Sequence, residues 1–160
     1  MAGGQLAAVP LVAGAGAAVA AAVVCGRLVR WKTWKIRGRP EVLCLHLGFV
    51  WLALGLLVRA GSGLFDTPLY PSAIHGVTVG TLGTFSIAIM TRTTQQRARV
   101  PVELPNPIMV ALFLITLAAA VRLSVDFVSV PREIILLSVS AWSAAFLIFL
   151  TQFGRIVRDA

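Results

Sequence analysis

Five long apolar runs alternate with short polar connectors along this chain of 160 residues. A helix needs about 20 mostly apolar residues to cross the hydrocarbon core of a bilayer, and each run approaches that length. The pattern therefore predicts an all-α integral membrane protein, a single domain over residues 1–160 that forms a bundle of about five transmembrane helices. The predicted spans cover roughly residues 6–26, 42–58, 70–91, 106–123 and 133–153.

The composition supports a membrane protein. Hydrophobic residues make up 58% of the chain and charged residues only 12%, with a mean hydropathy of +0.90. A soluble domain is closer to 45–50% apolar and about 25% charged. The length allows one domain, and the main partner that this composition predicts is the lipid bilayer.

The basic residues are distributed unevenly between the connectors. Six lie between the first and second runs (residues 27–39), three between the third and fourth (92–99) and two after the fifth, which is eleven of the fourteen. Cytoplasmic loops carry the excess of Lys and Arg, so this placement predicts an outer N-terminus and a cytoplasmic C-terminus. The net charge of +8 is then a topology signal and a contact with anionic headgroups, and nucleic-acid binding is not expected. We expect a multi-pass protein of the cell inner (plasma) membrane.

The third run, His75–Arg92, is the most informative stretch and reads HGVTVGTLGTFSIAIMTR. A histidine is costly inside a bilayer and is by default a candidate functional residue. Gly76, Gly80 and Gly83 are expected along one side of the helix, where they allow another backbone to approach closely. The partner of this glycine side is either a helix of the same chain or a second copy of the chain.

The chain has only two histidines, and the predicted topology sets them at opposite ends of the bundle. His46 and His75 each lie about four residues into a span, roughly 6 Å deep. Their Cα atoms then differ in depth by roughly 15–18 Å in a ~30 Å core. One metal centre held by both is marginal, so two sites, or one site completed by another group or protomer, fit better. Hydrogen bonding between packed helices is the alternative role for each histidine.

Several soft ligands share the predicted cytoplasmic level with His46. Cys25 ends the first span, Cys44 begins the second and Met90 ends the third. Thiolate and thioether ligands suit Cu(I), and a His/Met pair suits haem iron. Packing as small or flexible apolar residues is the alternative for all three.

Other functional classes receive less support. The six acidic residues all lie at span boundaries, which argues against a transporter that titrates a carboxylate in the membrane. Arg122 and Asp126, one turn apart, are expected to form an ion pair at the rim. No soluble-enzyme signature assigns a catalytic residue, and a permeation protein would need a polar face that the sequence pattern does not reveal.

The chain also resembles the C-terminal half of the NnrS family, which are bacterial inner-membrane proteins associated with haem, copper and the response to nitric oxide. The resemblance covers about residues 31–160. Its most specific piece is His75–Gly83 with its continuation to Ala88–Arg92; the others are residues 45–56, residues 117–123, and Trp142, Ala145-Phe146 and Phe153-Gly154.

This resemblance implies haem or copper, or both, as cofactors. It makes His46 and His75 candidate ligands of the cofactor or metal, and the predicted cytoplasmic level adds Met90 as a further candidate cofactor ligand and Cys25 and Cys44 as further candidate metal ligands. Family members are usually at least twice this length, so a homo-oligomer or a partner that supplies further spans is expected. The alternative function is a non-catalytic membrane subunit or scaffold without a cofactor.

Overall fold

The computed structural model describes residues 3–31 and 40–158, with side chains from residue 9 onward. Every regular element in these ranges is helical, which confirms the all-α prediction. The elements are α1 (Gly3–Arg30), α2 (Pro40–Leu64), α3 (Tyr70–His75), a π-helical segment (Gly76–Leu82), α4 (Gly83–Arg97), α5 (Asn106–Ser124) and α6 (Arg132–Arg158).

Among the described residues, five helical stretches are long and apolar enough to cross a membrane. Four of them are formed by α1, α2, α5 and α6. The third span, Tyr70–Arg97, is formed by α3, the π-helical segment and α4 together. The predicted number of transmembrane helices is thus confirmed. The orientation of the bundle remains a prediction, and residues 32–39 of the first basic connector lie outside the described residues.

The third span lies at the centre of the bundle. It contacts α2, α5 and α6, whereas α1 packs mainly on α2 at the edge. In the most apolar stretch of each helix, 44% of the residues are buried for the third span and 11% for α1. The core between α4, α5 and α6 is formed by branched and aromatic side chains such as Ile87, Ile108, Ile115 and Phe149.

Glycines set the distance between the third span and α2. A Cβ atom added at Gly76 would lie 3.0 Å from the Cα atom of Gly55, and one added at Gly80 would lie 2.6 Å from Cγ of Trp51. Gly83 faces α5 and α6 instead, where an added Cβ would meet Ile115 at 3.2 Å. The glycine side therefore packs within one chain, and Gly83 does not belong to it, contrary to the expected single side.

A second close contact joins α1 to α2. A Cβ atom on Gly14 would lie 2.8 Å from the backbone of Gly63, and one on Gly63 would lie 2.5 Å from the carbonyl oxygen of Pro10. The two helices therefore approach at backbone distance. Such crossings are typical of membrane helices, which gain packing energy where small residues remove the side chains between them.

The start of the third span is fixed to the end of α5 by Ser72, which is 1% exposed. Its backbone N–H donates to Oδ2 of Asp126 at 3.1 Å, and its hydroxyl donates to the carbonyl oxygen of Arg122 at 3.4 Å. Asp126 thus satisfies one of the unpaired N–H groups in the first turn of α3. The expected rim ion pair is replaced by this contact, because the carboxylate of Asp126 is directed to Ser72.

Candidate functional site

His46 lies in the second turn of α2 and is 8% exposed. Its Nδ1 atom is 3.0 Å from the carbonyl oxygen of Val42, four residues earlier in the helix. A carbonyl oxygen only accepts hydrogen bonds, so we assign the proton of the neutral ring to Nδ1. Nε2 then carries a lone pair, and this buried atom has no hydrogen-bond partner among the described residues.

Aromatic rings hold the imidazole in place. Trp31, at the end of α1, meets the His46 ring edge to face, with ring centroids 5.4 Å apart and an interplanar angle of 76°. Trp31 also meets Phe49 at 5.0 Å, and Phe49 meets Phe85 of α4 at 5.1 Å. The row of rings joins three helices around His46. Contacts of this kind favour edge-to-face geometry, so they restrict the rotation of the imidazole.

A cavity of about 510 Å³ lies between α2 and α5, and His46 lines it. The other lining side chains are mostly apolar, including Leu47, Met109 and Phe113. Thr116 also lines the cavity, and its Oγ1 atom is buried without a hydrogen-bond partner in the described part of the chain. A pocket with an apolar wall and a few polar groups is typical of a site for a small molecule or cofactor.

Cys44 lines the same cavity, but it lies on a different face of α2 from His46. Residues two apart in a helix do not face each other. The thiol of Cys44 donates to the carbonyl oxygen of Glu41 at 3.2 Å, and the side chain belongs to the core formed with Ile87 and Ala111. Cys25 is half-buried on α1, and both cysteines are free thiols.

The candidate ligands do not form one cluster. Within residues 3–31 and 40–158, no group of three or more His, Cys, Asp or Glu side chains is arranged to hold a metal ion. Met90 lines a different cavity, of about 410 Å³, together with Phe153 of α6. The methionine that shares the cavity of His46 is Met109 on α5, which the depth argument did not identify.

His75 ends α3, directly before the π-helical segment, and is half-buried. Its Nδ1 atom is 2.7 Å from the carbonyl oxygen of Pro71, so it repeats the arrangement of His46. It lines a third cavity, of about 290 Å³, with Arg122, Ser138 and Trp142. This cavity shares no lining residue with that of His46, so the two histidines face separate spaces.

The π-helical segment Gly76–Leu82 is a feature that the sequence pattern did not indicate. Runs of π-helix are rare and occur frequently at functional sites. Here the segment begins directly after His75 and contains Gly80, which makes the close contact with Trp51. The change of helical repeat contributes to the different directions of Gly80 and Gly83.

The chain matches the protein family described as NnrS protein over residues 1–160. The match includes α1, which the motifs quoted from the sequence did not cover. No curated protein and no solved structure matches the chain.

Proposed function

The chain belongs to the NnrS family, and from this premise we propose that it is an inner-membrane protein that binds haem, copper or both and acts in the response to nitric oxide. Family membership and five membrane-length helices support an NnrS-like membrane protein. Haem iron or copper, when bound, supplies a metal centre to which a small ligand such as nitric oxide can attach.

The observation that carries the proposal is that His46 lines the cavity of about 510 Å³ and that its buried Nε2 atom has no hydrogen-bond partner among the described residues. Histidines that bind metals usually donate their other ring N–H to a carbonyl or carboxylate, which fixes the tautomer and the ring orientation. The bond from Nδ1 to Val42 has this form. The residues present therefore fit an imidazole ligand that would hold haem iron or copper through Nε2.

The surroundings of His46 suit this role. Trp31 packs against the imidazole ring of His46, and Phe49 packs against Trp31. Leu47 and Phe113 give the cavity an apolar wall. Met109 provides a thioether on the opposite helix, and soft sulfur ligands favour Cu(I). Cys44 reaches the same cavity, but its thiol is already bonded to a backbone carbonyl.

The proposed site at His46 does not include the other candidate ligands His75, Met90 and Cys25. His75 has the same tautomer as His46 but is half-buried in a smaller cavity, so we propose it as the ligand of a second, weaker site. Met90 lies on another cavity and does not complete the site at His46.

A membrane subunit without a cofactor is the second candidate function. It is favoured by the hydrogen bond that each histidine makes to its own helix, since such a bond also suits a purely structural imidazole. In that role the ring of His46 would serve to pack Trp31 against α2. The two candidate functions differ in whether the Nε2 atom of His46 has to bind a metal.

Matched histidine variants test the proposal. The full chain is expressed with haem and copper supplied, purified in detergent, and examined by optical spectrum and metal analysis. His46→Ala is expected to lose most of the Soret band or the copper. His75→Ala, which removes the other histidine with an i−4 bond, is expected to retain most of it. His46→Gly with added imidazole should regain the signal, because free imidazole can occupy the vacated space.

Two controls and two outcomes complete this test. Elution volume and melting temperature show whether each variant is folded. Full retention of the cofactor by a folded His46→Ala variant contradicts the assignment of His46. Loss in His75→Ala with retention in His46→Ala moves the site to the smaller cavity.

A further inference from the structure

The third span buries a row of polar side chains in the centre of the bundle. Thr81, Thr84, Thr91 and Gln95, which we call the buried threonine row, are each 4% exposed or less. Within α4, the positions Thr84, Ala88, Thr91 and Gln95 are four, three and four residues apart. This spacing places side chains on one face of a helix. Fourteen residues separate the ends of the row, a rise of about 21 Å at 1.5 Å per residue.

The polar atoms of this row lack partners. The Oγ1 atoms of Thr81, Thr84 and Thr91 and the Oε1 atom of Gln95 are buried and make no hydrogen bond to any described residue. Two threonines of the same span that face outward behave differently. Thr78 donates to the carbonyl oxygen of Ile74 and Thr93 to that of Ile89, both at 2.9 Å. The helix can therefore satisfy its own threonines, and it does so on the outside but not in the core.

The two ends of the row have distinct surroundings. At one end, the side-chain amide of Gln95 donates to the carbonyl oxygen of Glu103 at 2.9 Å, in the exposed loop before α5. At the other end, the ring of Trp51 packs on Gly80, next to Thr81, and the Nε1 atom of Trp51 is also buried and unpaired within the described residues. The row thus begins beside a surface loop, and the helix that packs near its other end carries a buried, unpaired indole N–H.

We propose that the buried threonine row binds a file of internal water molecules that enters at Gln95 and ends at Thr81 and Trp51. A hydroxyl both donates and accepts, and a buried water makes about three hydrogen bonds to groups that otherwise have none. Polar atoms inside a membrane protein are tolerated where such bonds are made. The part of the row from Thr81 to Thr91, which lies within the predicted span, rises about 15 Å, roughly half of a ~30 Å hydrocarbon core.

The consequence is a route by which water and protons reach the middle of the bundle from the Gln95 end. A proton can pass along hydrogen-bonded waters and hydroxyls without a carboxylate in the membrane. This role goes beyond cofactor binding and does not depend on His46.

Water-edited solid-state NMR tests the proposal on the full chain in lipid bilayers. With labelled threonine, the experiment records how fast magnetisation passes from water protons to each threonine side chain. Transfer to Thr84 and Thr91 is expected to be several-fold faster than to Thr78, the matched threonine on the outer face. Equal or slower transfer to Thr84 and Thr91 overturns the proposal, and the wild-type chain suffices for this result.

Valine substitutions provide a second measurement with a predicted sign. Valine matches threonine in shape, and removing a dry, unpaired hydroxyl is neutral or stabilising. Removing a hydroxyl that binds water instead breaks hydrogen bonds. We therefore expect Thr84→Val and Thr91→Val to lower the melting temperature by about 2–4 °C, with little change for Thr78→Val. A higher melting temperature for both buried variants contradicts a water file.

Discussion

Replacing Gly80 by alanine should destabilise the bundle because the new methyl group has no space. An added Cβ atom would lie 2.6 Å from Cγ and 2.9 Å from Cβ of Trp51. Non-bonded carbon atoms prefer about 3.5–4.0 Å, so the third span and α2 must separate by about 1 Å. Lipid chains offer no hydrophobic gain that would compensate for the lost packing.

The size of the effect follows from a matched comparison with Gly61. Both positions are helical, and alanine gains up to about 1 kcal/mol over glycine in a helix interior. An added Cβ at Gly61 meets no atom within 4 Å. The propensity gain therefore cancels between Gly80→Ala and Gly61→Ala, and the remaining difference is the overpacking cost, about 1–3 kcal/mol.

Thermal unfolding in detergent measures this difference. Gly61→Ala is expected to melt at or slightly above the wild-type temperature. Gly80→Ala should melt several degrees lower, and Gly80→Leu lower still, because a larger side chain forces a larger separation. A Gly80→Ala variant as stable as Gly61→Ala would show that the third span does not pack on Trp51.

Three further predictions concern the frame of the bundle. Reporter fusions after Ser62 and Arg99 should read outside and cytoplasmic respectively, as the distribution of basic residues requires, and an external Arg99 fusion would refute the predicted orientation. Asp126→Ala should cost about 1 kcal/mol in thermal unfolding because the N–H group of Ser72 loses its acceptor. Gly63→Leu should detach α1 from α2 and increase its protease sensitivity; unchanged protection would contradict the backbone contact.

The number and type of the elements could be predicted from the sequence because the apolar runs are long enough to have only one stable form in a bilayer. The π-helical segment could not, since a π turn keeps the same apolar residues and changes only which backbone groups pair. Because this segment could not be predicted, Gly83 was expected on the same side as Gly76 and Gly80, whereas it faces α5 and α6. The predicted ion pair of Arg122 and Asp126 was wrong because their spacing in the sequence gave no information on Ser72. This residue lies in another span, and its N–H donates to the carboxylate of Asp126.

The candidate site was predictable only in part. His46 stood out because the chain has two histidines, but its neighbours depend on which helices are adjacent. The predicted depth in the membrane placed Met90 at the level of His46. The packing of α5 beside α2 instead brings Met109 to the cavity of His46, and Met90 lines another cavity. The buried threonine row was hidden because Thr84 and Thr78 look alike in the sequence, and only the packed bundle distinguishes the inner from the outer face.

The most direct test of cofactor binding is the spectrum and metal content of the wild-type chain, purified in detergent after expression with haem and copper supplied. Binding through the imidazole of His46 predicts a Soret band for haem or a stoichiometric copper content, in a folded sample of this single chain. A colourless and metal-free wild-type protein, folded by elution volume and thermal unfolding, would contradict the proposed function and leave the cofactor-free subunit as the better account.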